Sequence, residues 1–267
     1  MVRALSQLYA LGALNVDGKL TKLGRRMAEF PVDPLLAKTI IKSTEYKCVE
    51  QMVIIASMLS VGNAIFFRPK DKALHADNAK LNFSRAGGDQ LGLLNVYNQW
   101  KEVNFSESWC FENFIQVRSM RRARDIFEQL TRVCERVGID FTDPELSVYE
   151  DEYGTNIRKC ITHGYFYNAA RATKNGMYRT VKNSHSVMIH PSSMIFKNQP
   201  EWVVYHSLVL TSKEFMRDVI SIEPAWLMEV APHFYQEKDL MEVRDGSEAQ
   251  NGKVMPKEVG SAGDQQK

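Results

Sequence analysis

Several arginines lie close together in one short stretch of the sequence, and their charged side chains are the strongest candidates for binding a ligand. They are Arg118, Arg121, Arg122 and Arg124, followed by Arg132 and Arg136. On a helix, most of these guanidinium groups would point to one side, while Ile126 and Leu130 belong to a buried stripe. Such a row of cations could bind successive phosphates of a nucleic acid. The alternative is a solvated helix face, neutralised by Asp125, Glu128 and Glu135 at i,i+3 and i,i+4 spacing.

A second group of cations alternates with aromatic and hydroxyl side chains. It contains Arg171, Lys174, Tyr178, Arg179, Lys182, His185 and His190. Single-stranded nucleic acid is bound by this mixture, because cations neutralise phosphates, hydroxyls donate to them and flat rings stack on bases. Strand-rich domains also contain aromatic residues simply for packing. The composition of this stretch leaves both interpretations open.

Two histidines lie near groups that could support catalysis or metal binding, and neither pattern is complete. His190 is followed by Ser192 and Ser193, but the sequence offers no nucleophile elbow, oxyanion loop or third orienting group. A turn closed by serine hydroxyls is therefore favoured over a hydrolase site. His75 and Asp77 alone are too few for a metal site. The four cysteines are far apart, which argues against a zinc knuckle or a redox dithiol.

The sequence contains no phosphate-binding loop of the form G-x-x-x-x-G-K-[ST]. Its two Gly-Lys pairs, at residues 18–19 and 252–253, are followed by Leu20 and Val254 instead of Ser or Thr. ATP hydrolysis therefore has no recognisable site in these 267 residues.

The composition limits the class of protein and the number of domains to which these residues can belong. With 44% hydrophobic and 25% charged residues, a chain of 267 residues can bury a sizeable core in about two compact units. The net charge of +2 is too small to indicate nucleic acid by itself, so the clustering of the cations must decide. No run approaches the roughly 18 apolar residues of a membrane span, and the first residues do not have the order of a signal peptide.

The spacing of apolar residues changes along the chain and predicts the elements that position the cations. Helical spacing persists over residues 34–138 and predicts a bundle of about five to seven helices. After residue 164, short aromatic and β-branched runs separated by turn signals predict a small antiparallel barrel, with an OB-fold as the natural candidate. The fold class is therefore α+β and multidomain. An acidic connector is expected at residues 140–152, and a disordered tail at 237–267.

Residues 1–33 predict only two short helices, with Thr21 as a cap of the second. Two such helices cannot enclose a core. We therefore expect the chain to begin inside a small domain whose first part precedes Met1.

Ordered strings throughout the sequence resemble DEAH-box RNA helicases, in particular the pre-mRNA-splicing branch of that family. They are LYALGAL (8–14), LTKLGR (20–25), FPVDP (30–34), MLSV (58–61), FRPK (67–70), HAD (75–77), GD (88–89), WCFENF (109–114), RSMRRA (118–123), YRTVK (178–182), HPSS (190–193), WVVYH (202–206), LTSKEFM (210–216) and APHFY (231–235). The likeness covers residues 1–236. One departure is Gln90, where the family usually has His.

The resemblance implies a domain order and a role. The order is a partial winged helix (1–33), a helical ratchet domain (34–139) and an OB-fold with a preceding helix (140–236). The role is the RNA-guiding C-terminal portion of a nuclear splicing helicase that remodels the spliceosome before the first catalytic step. Single-stranded pre-mRNA would pass between these domains and the motor domains. The motor domains are absent from this sequence, and ATP and magnesium would bind there, so this chain itself needs no cofactor.

Within this role, side-chain chemistry selects candidate RNA-binding residues, and the resemblance implies partners. The ratchet side would provide Arg118, Arg121 and Arg122, and the OB side Tyr178, Arg179, Lys182, His190, Ser192, Ser193 and Lys213. The partners implied are RNA, the chain's own motor domains and the spliceosome, with no membrane. An alternative function is a docking module in which a glycine-rich G-patch activator binds the winged-helix side.

Overall fold

The computed structural model describes residues 2–62, 64–140, 154–173 and 176–242. Apart from residue 140, the predicted acidic connector lies outside these ranges, as does most of the predicted tail. Within them, no helix combines the length and apolarity that crossing a bilayer requires.

The chain begins with two short helices, α1 (Val2–Ala10) and α2 (Lys22–Ala28). Between them the backbone turns back on itself, and Leu14 and Leu20 form an isolated antiparallel bridge. Thr21 caps α2 as the sequence predicted, since its hydroxyl accepts a hydrogen bond from the Gly24 amide at 3.0 Å. This cap fixes the direction in which the chain enters the helical bundle.

Among the described residues, six α-helices form the bundle, and they are α3 (Pro34–Lys42), α4 (Val49–Leu59), α5 (Ala73–Asn82), α6 (Asp89–Glu102), α7 (Glu107–Glu112) and α8 (Val117–Arg136). The start of α3 follows from local chemistry, because the Asp33 carboxylate accepts from the amides of Leu35 and Leu36 at 2.9 and 3.1 Å. The centre of the bundle is α4, which is buried from Met52 to Met58 and packs against α3, α6 and α8. A helical bundle, as predicted, is confirmed.

In the part of the chain that the structure describes, five strands form a closed barrel, and they are β1 (Ala169–Ala172), β2 (Tyr178–Thr180), β3 (Ser186–Ile189), β4 (Trp202–Leu210) and β5 (Glu214–Ser221). Their order is β1-β2-β3-β5-β4, closing on β1. All neighbours are antiparallel except β3 and β5, which are parallel. The barrel has its own apolar core, which includes Tyr178, Val203 and Met216. The predicted OB-type barrel is confirmed.

The described residues next to the barrel form three further α-helices, and they are α9 (Thr155–Tyr165), α10 (Pro224–Val230) and α11 (Glu237–Glu242). The first of these packs closely against α3, where the Cys160 thiol lies 3.3 Å from the Thr39 carbonyl oxygen. Helix α11 corrects the prediction that disorder begins at residue 237, because residues 237–242 are helical and Asp239 binds Lys182 of the barrel domain.

The contact between α9 and the bundle predicts a pH dependence of stability. His163 Nε2 lies 3.0 Å from the Tyr46 hydroxyl, and burial, helped by Lys42 and Lys38, lowers the pKa of His163 from 6.5 to about 4. Unfolding returns the imidazole to water, so the unfolded chain binds an extra proton between these two values. The stabilisation from neutral His163 is therefore complete above pH 6.5 and is lost as the pH falls towards 4.

In His163→Gln the urea midpoint is expected to fall less over this pH range than in the wild type. An identical decline in both proteins would show that His163 does not carry this dependence.

Candidate nucleic-acid interface

A buried carboxylate joins the bundle to the barrel. Asp89, the first residue of α6, accepts three hydrogen bonds: from the Met194 amide at 2.7 Å, and from the Ser193 hydroxyl and the Val219 amide at 2.8 Å each. Burial raises the pKa of Asp89, and these hydrogen bonds oppose that effect because they favour the charged form. We call this set of contacts the latch. Because it ties α6 to β5 and to the β3–β4 loop, it fixes the relative position of the two domains.

Strand β5, whose Val219 amide binds Asp89, has an unusual backbone conformation at one residue. Asp218 in β5 has a φ of 51°, which is uncommon for a residue other than glycine. In the β4–β5 ladder, Tyr205 pairs with Val219 and Ser207 pairs with Arg217. Asp218, which lies between Arg217 and Val219, is not paired in this ladder. The peptide group after Asp218 is turned towards α6 instead. A strained residue held in this way is typical of sites where local geometry serves a contact.

Gln90, which departs from the family pattern, lies in this contact. Its side chain is 2% exposed, and its Nε2 donates to the Asp218 carbonyl oxygen at 2.6 Å. Its Oε1 has no hydrogen-bond partner among the described residues. At this position the glutamine therefore packs the domain junction.

A cavity of about 400 Å³ opens beside the latch, between the bundle and the barrel. Its bundle wall is largely apolar, with Met58, Leu59 and Phe66. The polar groups that line it are Lys80 of α5, the carboxylates of Asp89 and Asp218, and the side chains of Ser192, Ser193, His206, Ser207 and Arg217. A cavity of this size, with an apolar wall and a few convergent polar groups, can hold a small ligand or a segment of an extended chain.

Lys80 is half-buried at this cavity, whereas Arg217 is exposed. Its ammonium group donates to the Ser192 carbonyl oxygen and lies 5.1 Å from the centre of the Phe66 ring. Burial lowers its pKa, while the nearby Asp89 and Asp218 carboxylates oppose this. Lys80 therefore joins α5 to the barrel and also places positive charge in the cavity.

Of the predicted residues, Ser192 and Ser193 line this cavity, and His190 lies beside it in contact with Ser192. His190 Nδ1 lies 2.7 Å from the Ser192 hydroxyl and accepts from the Ser192 amide at 3.1 Å. Burial lowers the pKa of His190, with further lowering by Arg217 and Lys80. These bonds are those of a turn closed by a serine hydroxyl, the interpretation favoured by the sequence. Ser193 belongs to the latch, so its hydroxyl is engaged with Asp89.

Tyr178 does not have the predicted role. Its side chain is fully buried inside the barrel, and its hydroxyl donates to the Pro200 carbonyl oxygen at 2.7 Å. Burial raises the pKa of Tyr178 to about 12. Because side chains alternate along a strand, Tyr178 points inwards where Arg179 points outwards. Its ring therefore offers no stacking surface to RNA.

The other barrel residues are placed on the outside, apart from the cavity. Arg179 lies opposite Arg171 across the β1–β2 pair. Lys182 forms an ion pair with Asp239 of α11 at 2.7 Å. Lys213 is exposed in the turn between β4 and β5. The structure thus separates the predicted OB-side residues into a cavity group and an outer group.

The three predicted ratchet arginines are all exposed on α8. Arg118 and Arg122 are four residues apart and share one side of the helix. Arg121 forms an ion pair with Glu107 of α7, and Arg136 pairs weakly with Glu29 at 3.5 Å. Part of the basic stretch is thus neutralised, but by Glu107 and Glu29, which lie outside α8, and not by the i,i+3 and i,i+4 carboxylates that the sequence suggested. Arg118 and Arg122 are its better candidates for phosphates.

Sequence reasoning missed Lys80 and Arg217, the two cations of the cavity. Strand alternation next to the buried Met216 would have placed Arg217 on the outside of the barrel. Nothing local indicates that the bundle packs beside that position, and Lys80 carries no signal that separates it from other helix-surface lysines.

Three family models match consecutive parts of the chain. Residues 4–32 match the helicase-associated domain (HA2), winged-helix. Residues 33–93 match the helicase-associated domain (HA2), ratchet-like. Residues 157–235 match the oligonucleotide/oligosaccharide-binding (OB)-fold. The cavity and its latch lie between the last two matches.

Proposed function

We propose that this chain, whose three domains have the order typical of the C-terminal region of DEAH- and RHA-type helicases, guides single-stranded RNA. The observation that carries the proposal is the cavity between the ratchet and OB domains. Lys80 and Arg217, which both line this cavity, would neutralise phosphates there. Bases would lie against the apolar wall at Phe66, without sequence readout.

The latch holds the ratchet and OB domains rigidly together, and this rigidity supports the proposed function. Because Asp89 and Gln90 hold the barrel against α6, the two walls of the cavity keep a constant spacing. Arg118 and Arg122 on α8 would contact phosphates from the ratchet side. A passive wall of this kind guides a strand that another part of the protein moves. We assign ATP and magnesium binding to motor domains of the parent protein.

The finer identity rests on the resemblance of ordered strings to splicing helicases. We propose pre-mRNA as the RNA, the spliceosome as the assembly and the nucleus as the location. A G-patch activator remains the second candidate partner. It is supported by the leucine side chain and the tyrosine ring of Leu5 and Tyr9 on α1, which are four residues apart and about half exposed, at 51% and 53%.

The proposal predicts how charge removal in the cavity changes RNA binding. In Arg217→Ala, affinity for a fluorescein-labelled oligouridylate should fall several-fold, and the slope of log affinity against log salt should decrease by about 0.7 for each lost phosphate contact. Fluorescence anisotropy over a series of salt concentrations measures both.

Lys101→Ala is the matched control, since it removes one positive charge at the far end of α6, about 18 Å from Asp89 along the helix axis. Equal affinity and equal salt slopes in the two variants would contradict a phosphate contact at Arg217.

A further inference from the structure

The barrel carries a second cationic site, formed by Arg171 of β1 and by Lys182, which follows β2. The Arg171 guanidinium lies 5.0 Å from the centre of the Trp202 ring. The Lys182 ammonium lies 5.1 and 5.2 Å from the ring centres of Phe234 and Tyr235. None of these residues lines the cavity. Aromatic faces attract cations, so the rings hold both charges in defined positions.

In this structure α11 occupies the second site. The Asp239 carboxylate accepts from Lys182 Nζ at 2.7 Å, and the Leu240 carbonyl oxygen accepts from Arg171 Nη1 at 3.2 Å. That carbonyl lies near the C-terminal end of the helix, where peptide dipoles leave partial negative charge. The helix thus presents two negative oxygens to two cations, as the phosphodiester backbone of a nucleic acid would.

The attachment of α11 is slight compared with the packing of the barrel. The Lys182–Asp239 pair is partly exposed, with side-chain exposures of 29% and 19%, and such pairs contribute little to stability. Leu240 packs only partly against the core, and Met241 is 62% exposed. A competing anion could therefore displace α11 without unfolding the barrel.

Arg171 would stay in place after α11 leaves. Its Nε and Nη2 donate to the Glu201 carboxylate at 3.1 and 2.6 Å, and its residue is only 7% exposed. Arg179, directly opposite on β2, extends the positive surface. The site therefore exists independently of its present occupant.

We propose that the Arg171–Lys182 site is a second phosphate-binding site for single-stranded RNA, and that α11 is a displaceable strap that competes for it. This inference rests on the proposed function. RNA that follows the outer face of the barrel exchanges its phosphates for the Asp239 carboxylate and the Leu240 carbonyl. The acidic strap lowers the affinity of the chain for RNA until this exchange occurs.

Hydrogen exchange on the full chain tests the displacement directly. With saturating oligouridylate, the backbone amides of residues 237–242 should exchange faster than in the free protein, because α11 is released. Inorganic phosphate at the same phosphorus concentration should leave them unchanged if an extended backbone is required, and equal acceleration would assign the site to free phosphate. Unchanged or slower exchange with RNA would contradict the proposal that RNA displaces α11.

Affinity measurements separate this inference from the proposed function. Asp239→Asn should bind oligouridylate about threefold more tightly, the gain expected from freeing one cation. Glu237→Gln, with the same charge change on the same helix, should bind like the wild type. Adding Lys182→Ala to Asp239→Asn should abolish the gain.

If Asp239→Asn binds like the wild type while Arg217→Ala binds more weakly, the proposal that α11 competes with RNA is wrong and the proposed function stands. If no variant and no wild-type protein binds the oligonucleotide, both are wrong.

Discussion

Replacing Asp89 by asparagine is expected to lower the free energy of unfolding by about 2–4 kcal/mol. The three groups that Asp89 binds are all donors, two of them backbone amides that cannot reverse their role. An asparagine side chain has one acceptor oxygen and one amino group, so the amino group would face a donor. One amide, of Val219 or Met194, would be left buried without an acceptor.

Chemical denaturation of the full chain measures this loss. Asp77→Asn makes the same substitution at an exposed carboxylate that pairs with Arg68, and it should change stability far less. Hydrogen exchange should also show that the amides of Met194 and Val219 lose protection in Asp89→Asn. If Asp89→Asn is as stable as Asp77→Asn, the latch does not hold the two domains together.

Replacing Gly164 by alanine should cost about 3 kcal/mol or more, because α9 crosses α3 at this glycine. A methyl group there would overlap the Thr39 hydroxyl and the Leu35 carbonyl oxygen of α3. A backbone carbonyl inside a helix cannot move aside cheaply. Alanine also favours the helical state by up to about 1 kcal/mol, which offsets only part of the clash.

Gly92→Ala in α6 is the matched comparison for this change. A methyl group there would meet the end of the Met194 side chain, which is flexible and can adopt another rotamer. Denaturation midpoints should therefore fall further for Gly164→Ala than for Gly92→Ala. The reverse order would mean that the α3–α9 crossing adapts more easily than its geometry indicates.

The bundle and the barrel could be predicted from sequence because both follow from local periodicity. The change of spacing near residue 164 marks where helices give way to strands. The helix α11 could not be predicted in this way, since its residues are polar and its contacts are distant. Asp239 binds Lys182, 57 positions earlier, and Leu240 binds Arg171, 69 positions earlier.

The candidate site was predictable only in part. Exposure of Arg118 and Arg122 follows from the amphipathic pattern of α8, and the turn at His190 follows from its serines. Tyr178 was assigned wrongly because residue type was given more weight than strand alternation. The cavity joins Lys80 to Arg217, which are far apart in the chain, and its shape depends on the left-handed backbone of Asp218. A splicing role for these residues stays a prediction from the resemblance.

Photo-crosslinking to a single-stranded RNA that carries 4-thiouridine, with the linked peptides mapped by mass spectrometry, tests the central claim most directly. If the chain guides RNA through the junction of its ratchet and OB domains, the crosslinks should fall on the cavity rim, in the segments that contain Phe66, Ser192 and Arg217. Crosslinks confined to other faces of the bundle and barrel, with none on the cavity rim, would contradict it.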